Sequence, residues 1–483
     1  MNKPVDPSIE ETKARMRMIL EVQKRAQIQK GPPNAALRKD RLTRAIDMVL
    51  THKDELIAAI TQDFGARSPD LTLFADVASA VGPLKAARSE LDRWMKPQKR
   101  KVTPAALGLL GAKAEVRYQP KGVVGVISPW NFPLSLAMDA IAGAFAAGNR
   151  VMLKPSEFTP ATSALMAQII DLYFDDDELA VILGGPEVGA AFAGLPFDHI
   201  IFTGATSVGR HVMRAAADNL TPVTLELGGK SPVVIGRSAD LAKTAARVMN
   251  GKTMNAGQVC LAPDYVLAPK EHLDGFVKEV QSATKRMFPT IKDNRDYTAM
   301  INQRHYDRVR GLIDDARDKG AQVIEINPGG EDFSQQEHRK IPPTLILNAT
   351  NDMSVMQEEI FGPVMPVMTY TSFEDTLADV NSRPRPLALY YFGEDEHEAE
   401  ALLNRTHSGG VTINDVIFHF AMDDLPFGGV GPSGIGAYHG RRGFLEFSHE
   451  KAIYRQTASE MIALLRPPYG DKFRKQINGQ LKR

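Results

Sequence analysis

Residues 122–160 read GVVGVISPWNFPLSLAMDAIAGAFAAGNRVMLKPSEFTP. The stretch opens on a short apolar run with β-branched residues, GVVGVIS. It continues into an Ala-rich segment from about Leu134 to Ala147 and returns to a second apolar run, RVMLKPS. That is strand, helix, strand at the spacing of a parallel crossover unit. A helix from Pro160 to Leu172, the strand LAVIL, a helical stretch from Pro186 to Ala193, the strand HIIFTG, a helix from Ser207 to Asp218 and the run TPVTLELGG prolong the alternation. Such a series folds as a parallel α/β sheet, which takes ligands beyond the carboxyl ends of its strands.

A second α/β series follows. It runs from SPVVIG (231–236) through a helix near 238–254, the strand DYVLAP (264–269) and a helix over 271–286, then the strands PTLILNA, PVMPVMTY, LALYYFG and GVTIND. Upstream, 8–30 reads as a helix that Pro32-Pro33 stops, and 35–50, 52–63 and 71–96 carry amphipathic helical patterns. Residues 103–120 are short, apolar and Gly/Pro-bearing, and AKAEVRYQP alternates like a strand, as in a projecting hairpin. No internal repeat and no low-complexity linker interrupts the two series.

With 483 residues the chain is too long for one ordinary domain. Lys+Arg and Asp+Glu both total 58, so no global field attracts nucleic acid or an anionic membrane. The basic cluster Lys96, Lys99, Arg100, Lys101 and the basic tail from Lys472 to Arg483 read as solvated surface. Cys260 is the single cysteine, which excludes an intramolecular disulfide and favours a reducing compartment. The N-terminal stretch lacks the apolar core of a secretory signal, and no apolar run is long enough to span a bilayer. A cytoplasmic protein is expected. The 11 histidines show no metal-ligand spacing, so no metal site is expected.

Several residues stand out chemically. Cys260, in NAGQVCLAP between a helix and a strand, is either a small buried apolar residue or a nucleophile. Glu226 ends an apolar strand before two glycines. A desolvated carboxylate there has a raised pKa and suits a general base, although a strand-end cap is the plainer reading. Asn131 is a polar amide within PWNFP, placed to donate to an oxyanion. Lys154 and Glu157 follow a strand, where ribose hydroxyls bind. In FTGATSVG, Gly204 and Gly209 let backbone approach a pyrophosphate at a helix N-terminus. Gly429-Val-Gly431-Pro-Ser-Gly434 matches G-x-G-x-x-G but lacks the strand before it and the helix after it, and is set aside.

Together, PWNFP (129–133), LKPSE (153–157), FTGATSVG (202–209), LELGGKSP (225–232), GQVCLAP (257–263), EEIFGPV (358–364) and PFGGVGPSG (426–434) resemble, in order, the motifs of the aldehyde dehydrogenases. The resemblance spans about residues 35–450. The pattern at 204–209 and the ending AYHGRRGFLEFSHEK are similar to the subgroup of fatty and aromatic aldehyde dehydrogenases. FHFAMDDLPFGGVGPSGIGAYHG is most similar to bacterial coniferyl aldehyde dehydrogenases. Ala205 replaces a serine that many other subgroups carry, so no side-chain contact is carried over there.

The resemblance implies an α/β fold with a Rossmann-like cofactor domain (1–102 and 121–227, with 431–448 returning to it), a catalytic domain (228–430) and a bridging segment (103–120 and 449–483). It implies a homodimer, with a tetramer as the alternative. It implies that the Cys260 thiolate attacks an aldehyde, that Asn131 and the Cys260 N–H hold the oxyanion, and that Glu226 activates water to release the acid. Glu359 would hold the nicotinamide ribose, Phe361 would pack against the nicotinamide end, and Lys154 and Glu157 would hold the adenosine ribose. Trp130 counts among the cofactor residues, with pure packing as the alternative. Glu157 favours NAD by charge repulsion with a 2′-phosphate, with NADP as the alternative. Phe418, His419, Phe420 and Met422 would line an entrance suited to a planar aromatic aldehyde. A medium- or long-chain aliphatic aldehyde is the rival substrate. Rival functions are an acylating enzyme using coenzyme A, a cysteine hydrolase and an inactive homologue. Glu226 argues against the first, the lack of a histidine partner against the second, and the joint presence of Cys260, Glu226 and Asn131 against the third.

Overall fold

The structure, a computed structural model, describes residues 8–458 and 460–481. The outermost ends of the first and last implied segments, 1–7 and 482–483, lie outside the described residues, as does part of the stretch read for a signal. The opening alternation forms a six-stranded sheet. Its order is Leu179–Val181, Arg150–Lys154, Val123–Ile127, His199–Gly204, Val223–Leu227, all parallel, closed by the short antiparallel strand Gly434–Ile435. Its central strands are buried apolar runs, as parallel strands covered on both faces must be. One face is covered by Ser135–Ala147, a helix with all 13 residues buried. Its small side chains allow close packing: a Cβ added at Gly143 would lie 3.1 Å from the Phe447 ring.

The later strands form a seven-stranded sheet in the order Gln322–Glu325, Thr344–Leu347, Val364–Tyr370, Tyr265–Pro269, Pro232–Ile235, Ala388–Phe392, Gly410–Ile413. All neighbours are parallel except the first pair. A third, antiparallel sheet joins Gln98–Arg100, Lys113–Pro120 and Ser448–Arg455, with the short helix Ala105–Leu109 between its first two strands. The hairpin thus begins at Gln98, five residues upstream of the 103–120 segment read from the sequence, because Gln98 pairs with Val116.

The N-terminal helices form as patterned, at Ile9–Lys30, Ala35–Thr51 and Lys53–Phe64. The 71–96 stretch is not one regular helix. Pro69–Thr72 leads into a π-helical turn, Leu73–Ala78, before Ser79–Trp94. Such a wide turn rotates the side chains that follow it and recurs at functional sites.

Candidate active site

Glu226 is the penultimate residue of Val223–Leu227, directly opposite Gly434. It is 2% exposed, and neither carboxylate oxygen has a hydrogen-bond partner among the described residues. Burial holds its pKa well above the ordinary carboxylate range, and the Asp139 and Glu446 carboxylates push the same way.

Cys260 reaches the same region from the other sheet. The helix Leu241–Thr253 runs into a tight turn, Met254–Gly257, with Asn255 and Ala256 at φ +49° and +53°. Gly257 (φ +73°) is needed there, since a Cβ would lie 2.3 Å from the Gly362 carbonyl oxygen. Gln258 then anchors the loop: its Nε2 donates to Asn255 O (2.8 Å) and Ala299 O (3.1 Å), and its Oε1 accepts from the Ile301 N–H (3.0 Å). Asn131, buried, donates from Nδ2 to Gln258 O (3.1 Å), which sets its amide against the Cys260 loop. Tyr390 donates its hydroxyl to Leu261 O (2.6 Å). Cys260 is half-buried, and burial, then Glu359 and Glu226, push its thiol up to about 12.

Glu359 is the second carboxylate near the thiol. Burial and then Asp264 raise it to about 8, against a hydrogen bond from the Gly229 N–H and the nearby Arg308 and Lys230 charges. A Cβ at Gly228 would come within 1.8 Å of Glu359 Oε2, so the bare backbone makes the seat for this side chain. Lys230 ties the junction together. It pairs with Asp264 and donates to Val355 O (2.7 Å) and Glu358 O (3.0 Å). Phe361 (φ +47°) packs edge-on to Trp130 at 5.4 Å, and the His305 ring lies 5.0 Å from Trp130.

Farther along the first sheet, Lys154 is buried and donates to the exposed Glu157 (3.1 Å). Gly204 ends its strand and the helix Thr206–Ala217 starts two residues on, without a side-chain cap. Packing within the chain already requires both glycines. A Cβ at Gly204 would lie 2.7 Å from the Phe202 ring, and one at Gly209 2.7 Å from Leu227 Cδ2. In the 418–422 segment Phe418 and Met422 are exposed and Phe420 is half-buried. His419 is buried and hydrogen-bonded to Thr412 (2.8 Å).

Sequence reasoning missed two groups beside Glu226. His439 Nε2 sits 2.6 Å from Asp139 Oδ2, both buried, with the His439 ring against Phe420 (4.7 Å) and Phe427 (5.3 Å). The available signal was Asp139 itself, the one charge in an otherwise apolar helix. The second group is a hydrogen-bonded chain: Lys121 Nζ to His199 Nδ1 (3.0 Å), His199 Nε2 to Thr224 Oγ1 (2.8 Å) and Thr224 Oγ1 to Glu446 Oε1 (2.9 Å). Thr224 lies two residues before Glu226, on the same face of the strand. Among the described residues no cluster of metal-binding side chains exists, and no helix is long and apolar enough to cross a membrane.

Residues 9–453 match the model of the aldehyde dehydrogenase family. The chain belongs to the aldehyde dehydrogenase family. It is 62% identical, over the whole of both chains, to a probable coniferyl aldehyde dehydrogenase of Caulobacter vibrioides. It is 53% identical to a coniferyl aldehyde dehydrogenase of Pseudomonas sp. strain HR199, covering 94% of this chain and 93% of that one. Staphylococcus aureus AldH, solved in a substrate-bound state, superposes with a TM-score of 0.90 at 34% identity, covering 97% of this chain and 99% of that one. The aldehyde dehydrogenase described here catalyses NAD(P)-dependent oxidation of an aldehyde. The two α/β sheets and the residues between them are that fold.

Proposed function

We propose that Cys260, Asn131 and Glu226 carry this oxidation, acting on an aromatic aldehyde of the coniferyl type. The observation that carries the reading is Glu226: a buried carboxylate with both oxygens unpartnered among the described residues, on a strand end whose charge is felt by the Cys260 thiol. The Cys260 sulfur adds to the aldehyde carbon, and the Asn131 side-chain amide and the Cys260 N–H stabilise the resulting oxyanion. NAD(P), when bound, accepts the hydride that leaves a thioester on Cys260. Glu226 takes a proton from water, whose oxygen displaces the thiolate and releases the acid. Its raised pKa makes Glu226 a stronger proton acceptor, once ionised, than an ordinary carboxylate.

The donor set fits a dinucleotide. Glu359 would receive the nicotinamide ribose beside Gly228, with Phe361 and Trp130 packing near that end. Lys154 and Glu157 would receive the adenosine ribose. The uncapped start of Thr206–Ala217, after Gly204 and with Gly209 in its first turn, supports a pyrophosphate there. Glu157 favours NAD over NADP. The names of the two relatives, the exposed Phe418 and Met422 and the ring cluster at Phe420, Phe427 and His439 support a planar substrate.

The reading includes the cofactor domain at 1–102, 121–227 and 431–448, the catalytic domain at 228–430 and the bridge at 103–120 and 449–483. A cytoplasmic homodimer goes with it. Both outer strands of the three-stranded sheet have a free edge, and Leu109 and Leu110 nearby are exposed, which supports pairing with a second copy. NADH absorbance with coniferyl aldehyde and with hexanal tests the function. Wild type is expected to favour coniferyl aldehyde in kcat/KM, and Cys260→Ala to be inactive with both. Turnover by Cys260→Ala would end the covalent reading, and a preference for hexanal would end the aromatic one.

A further inference from the structure

A second set of residues reaches the site from the N-terminal helices. Arg67 and Asp76 form an ion pair whose side chains are both 0% exposed, with Nη2 of Arg67 2.5 Å from Oδ2 of Asp76. The guanidinium also lies over the Phe64 and Phe132 rings, 4.8 and 5.1 Å from their centroids. A dry ion pair of this kind contributes little net stability, because desolvating two charges offsets their attraction. Its hydrogen bonds point to another role.

Each partner reaches the segment that carries Asn131. Arg67 Nη1 donates to the Asn131 carbonyl (2.8 Å), and the same carbonyl accepts from Asn255 Nδ2 (3.1 Å) in the turn before Cys260. Asp76 Oδ1 accepts from the Leu134 and Ser135 N–H groups (3.2 and 3.3 Å). These begin the helix Ser135–Ala147, which has no side-chain cap of its own. Asp76 therefore serves as a remote N-cap, and a carboxylate there also suits the helix dipole. It comes from the π-helical turn Leu73–Ala78. The loop that bears Arg67 is joined to the other half as well: Ala66 O accepts from the Ala299 N–H (2.8 Å), and Ala299 O accepts from Gln258.

We propose that Arg67 and Asp76 are positioning residues for the oxyanion site. Arg67 holds the Asn131 carbonyl and Asp76 the Leu134 and Ser135 N–H groups, so the pair fixes the segment at both ends and sets the separation between the Asn131 side-chain amide and the Cys260 loop. The inference rests on the reading of Asn131 as an oxyanion donor. A misplacement of about 1 Å at such a site costs on the order of 10²-fold in rate.

The test is a double-mutant cycle on the full-length protein. Arg67→Met with Asp76→Leu replaces the pair by apolar groups, and Asp76→Asn keeps the shape while removing the charge. Each is made in wild-type and Asn131→Ala backgrounds. The readout is the NADH burst rate constant with coniferyl aldehyde, per thiol titrated, which a loss of folded protein does not move. In the wild-type background the burst is expected to slow at least about tenfold, with KM for NAD within about twofold. In the Asn131→Ala background the same changes are expected to cost less than about twofold, the non-additivity of groups acting through one another. An equal cost in both backgrounds, or no cost in folded protein, overturns the proposal. If Arg67→Met with Asp76→Leu does not fold, Asp76→Asn decides alone. If Asn131→Ala leaves the burst unchanged, the oxyanion reading fails and the positioning role falls with it. A slowed Asn131→Ala with an unaffected pair variant removes the positioning role alone.

Discussion

Glu226 and Glu359 flank one thiol, and both have raised pKa values, yet their surroundings differ. Among the described residues Glu226 has no hydrogen-bond partner on either oxygen, and its strongest charged neighbours are other carboxylates. Glu359 is seated against Gly228, takes a hydrogen bond from the Gly229 N–H and feels Arg308 and Lys230. A raised pKa is therefore not what separates a base from a binding group at this site. An unpartnered carboxylate leaves its lone pairs to a water, and a held one presents a fixed acceptor to a ligand hydroxyl.

Replacing each by glutamine probes that difference. Glu226→Gln is expected to lower kcat by about 10²–10⁴-fold, the usual contribution of a general base, while leaving one rapid equivalent of NADH per thiol. In wild type kcat is expected to show an ascending pH limb lying well above the ordinary carboxylate range, and Glu226→Gln should lose it. Glu359→Gln should retain the limb. If Glu359→Gln abolishes the limb instead, the two roles are exchanged. A smaller effect concerns the thiol. Both carboxylates push Cys260 up, so Glu359→Gln should quicken its alkylation by iodoacetamide a few-fold at pH 9, where wild-type Glu359 is ionised. An unchanged or slower rate would remove Glu359 from the thiol's electrostatics.

The smallest effect is on stability. The folded protein holds Glu359 at about 8 against an ordinary 4.5, so the protonated carboxyl favours folding. That contribution is complete below pH 4.5 and is lost as pH rises to about 8. Glu359→Gln has no such loss. Its melting temperature should gain on wild type by a few degrees between pH 5 and 8 and then stay level. A constant offset across the range would contradict the raised carboxyl.

The sheets were legible because a parallel strand covered on both faces is an unbroken apolar run, as in Val123–Ile127 and His199–Gly204. The half-exposed edge strand Gln322–Glu325 offers no such run and went unread. So did the polar helix Gln303–Asp318 and the helix Phe373–Ser382, although Ser372 with Asp375 is a readable capping box. Cys260, Glu226, Asn131 and Glu359 were marked by residue type and motif. Arg67 and Asp76 were not, because a charged residue in a loop or in an amphipathic stretch looks solvated, and only tertiary packing makes the two dry.

The pairing of Lys113–Pro120 with Ser448–Arg455, and of Glu226 with Gly434, has a consequence for synthesis. Both contacts join early strands to segments near the end of the chain. A chain emerging from the ribosome presents Cys260 and most of both sheets well before the edge strand beside Glu226 exists. Contacts so distant in sequence form late, since long loops must close first. The enclosure that perturbs Glu226 is thus completed only by the last tenth or so of translation. Until then the strand that bears Glu226 lacks its edge partner Gly434–Ile435 and the nearby Glu446.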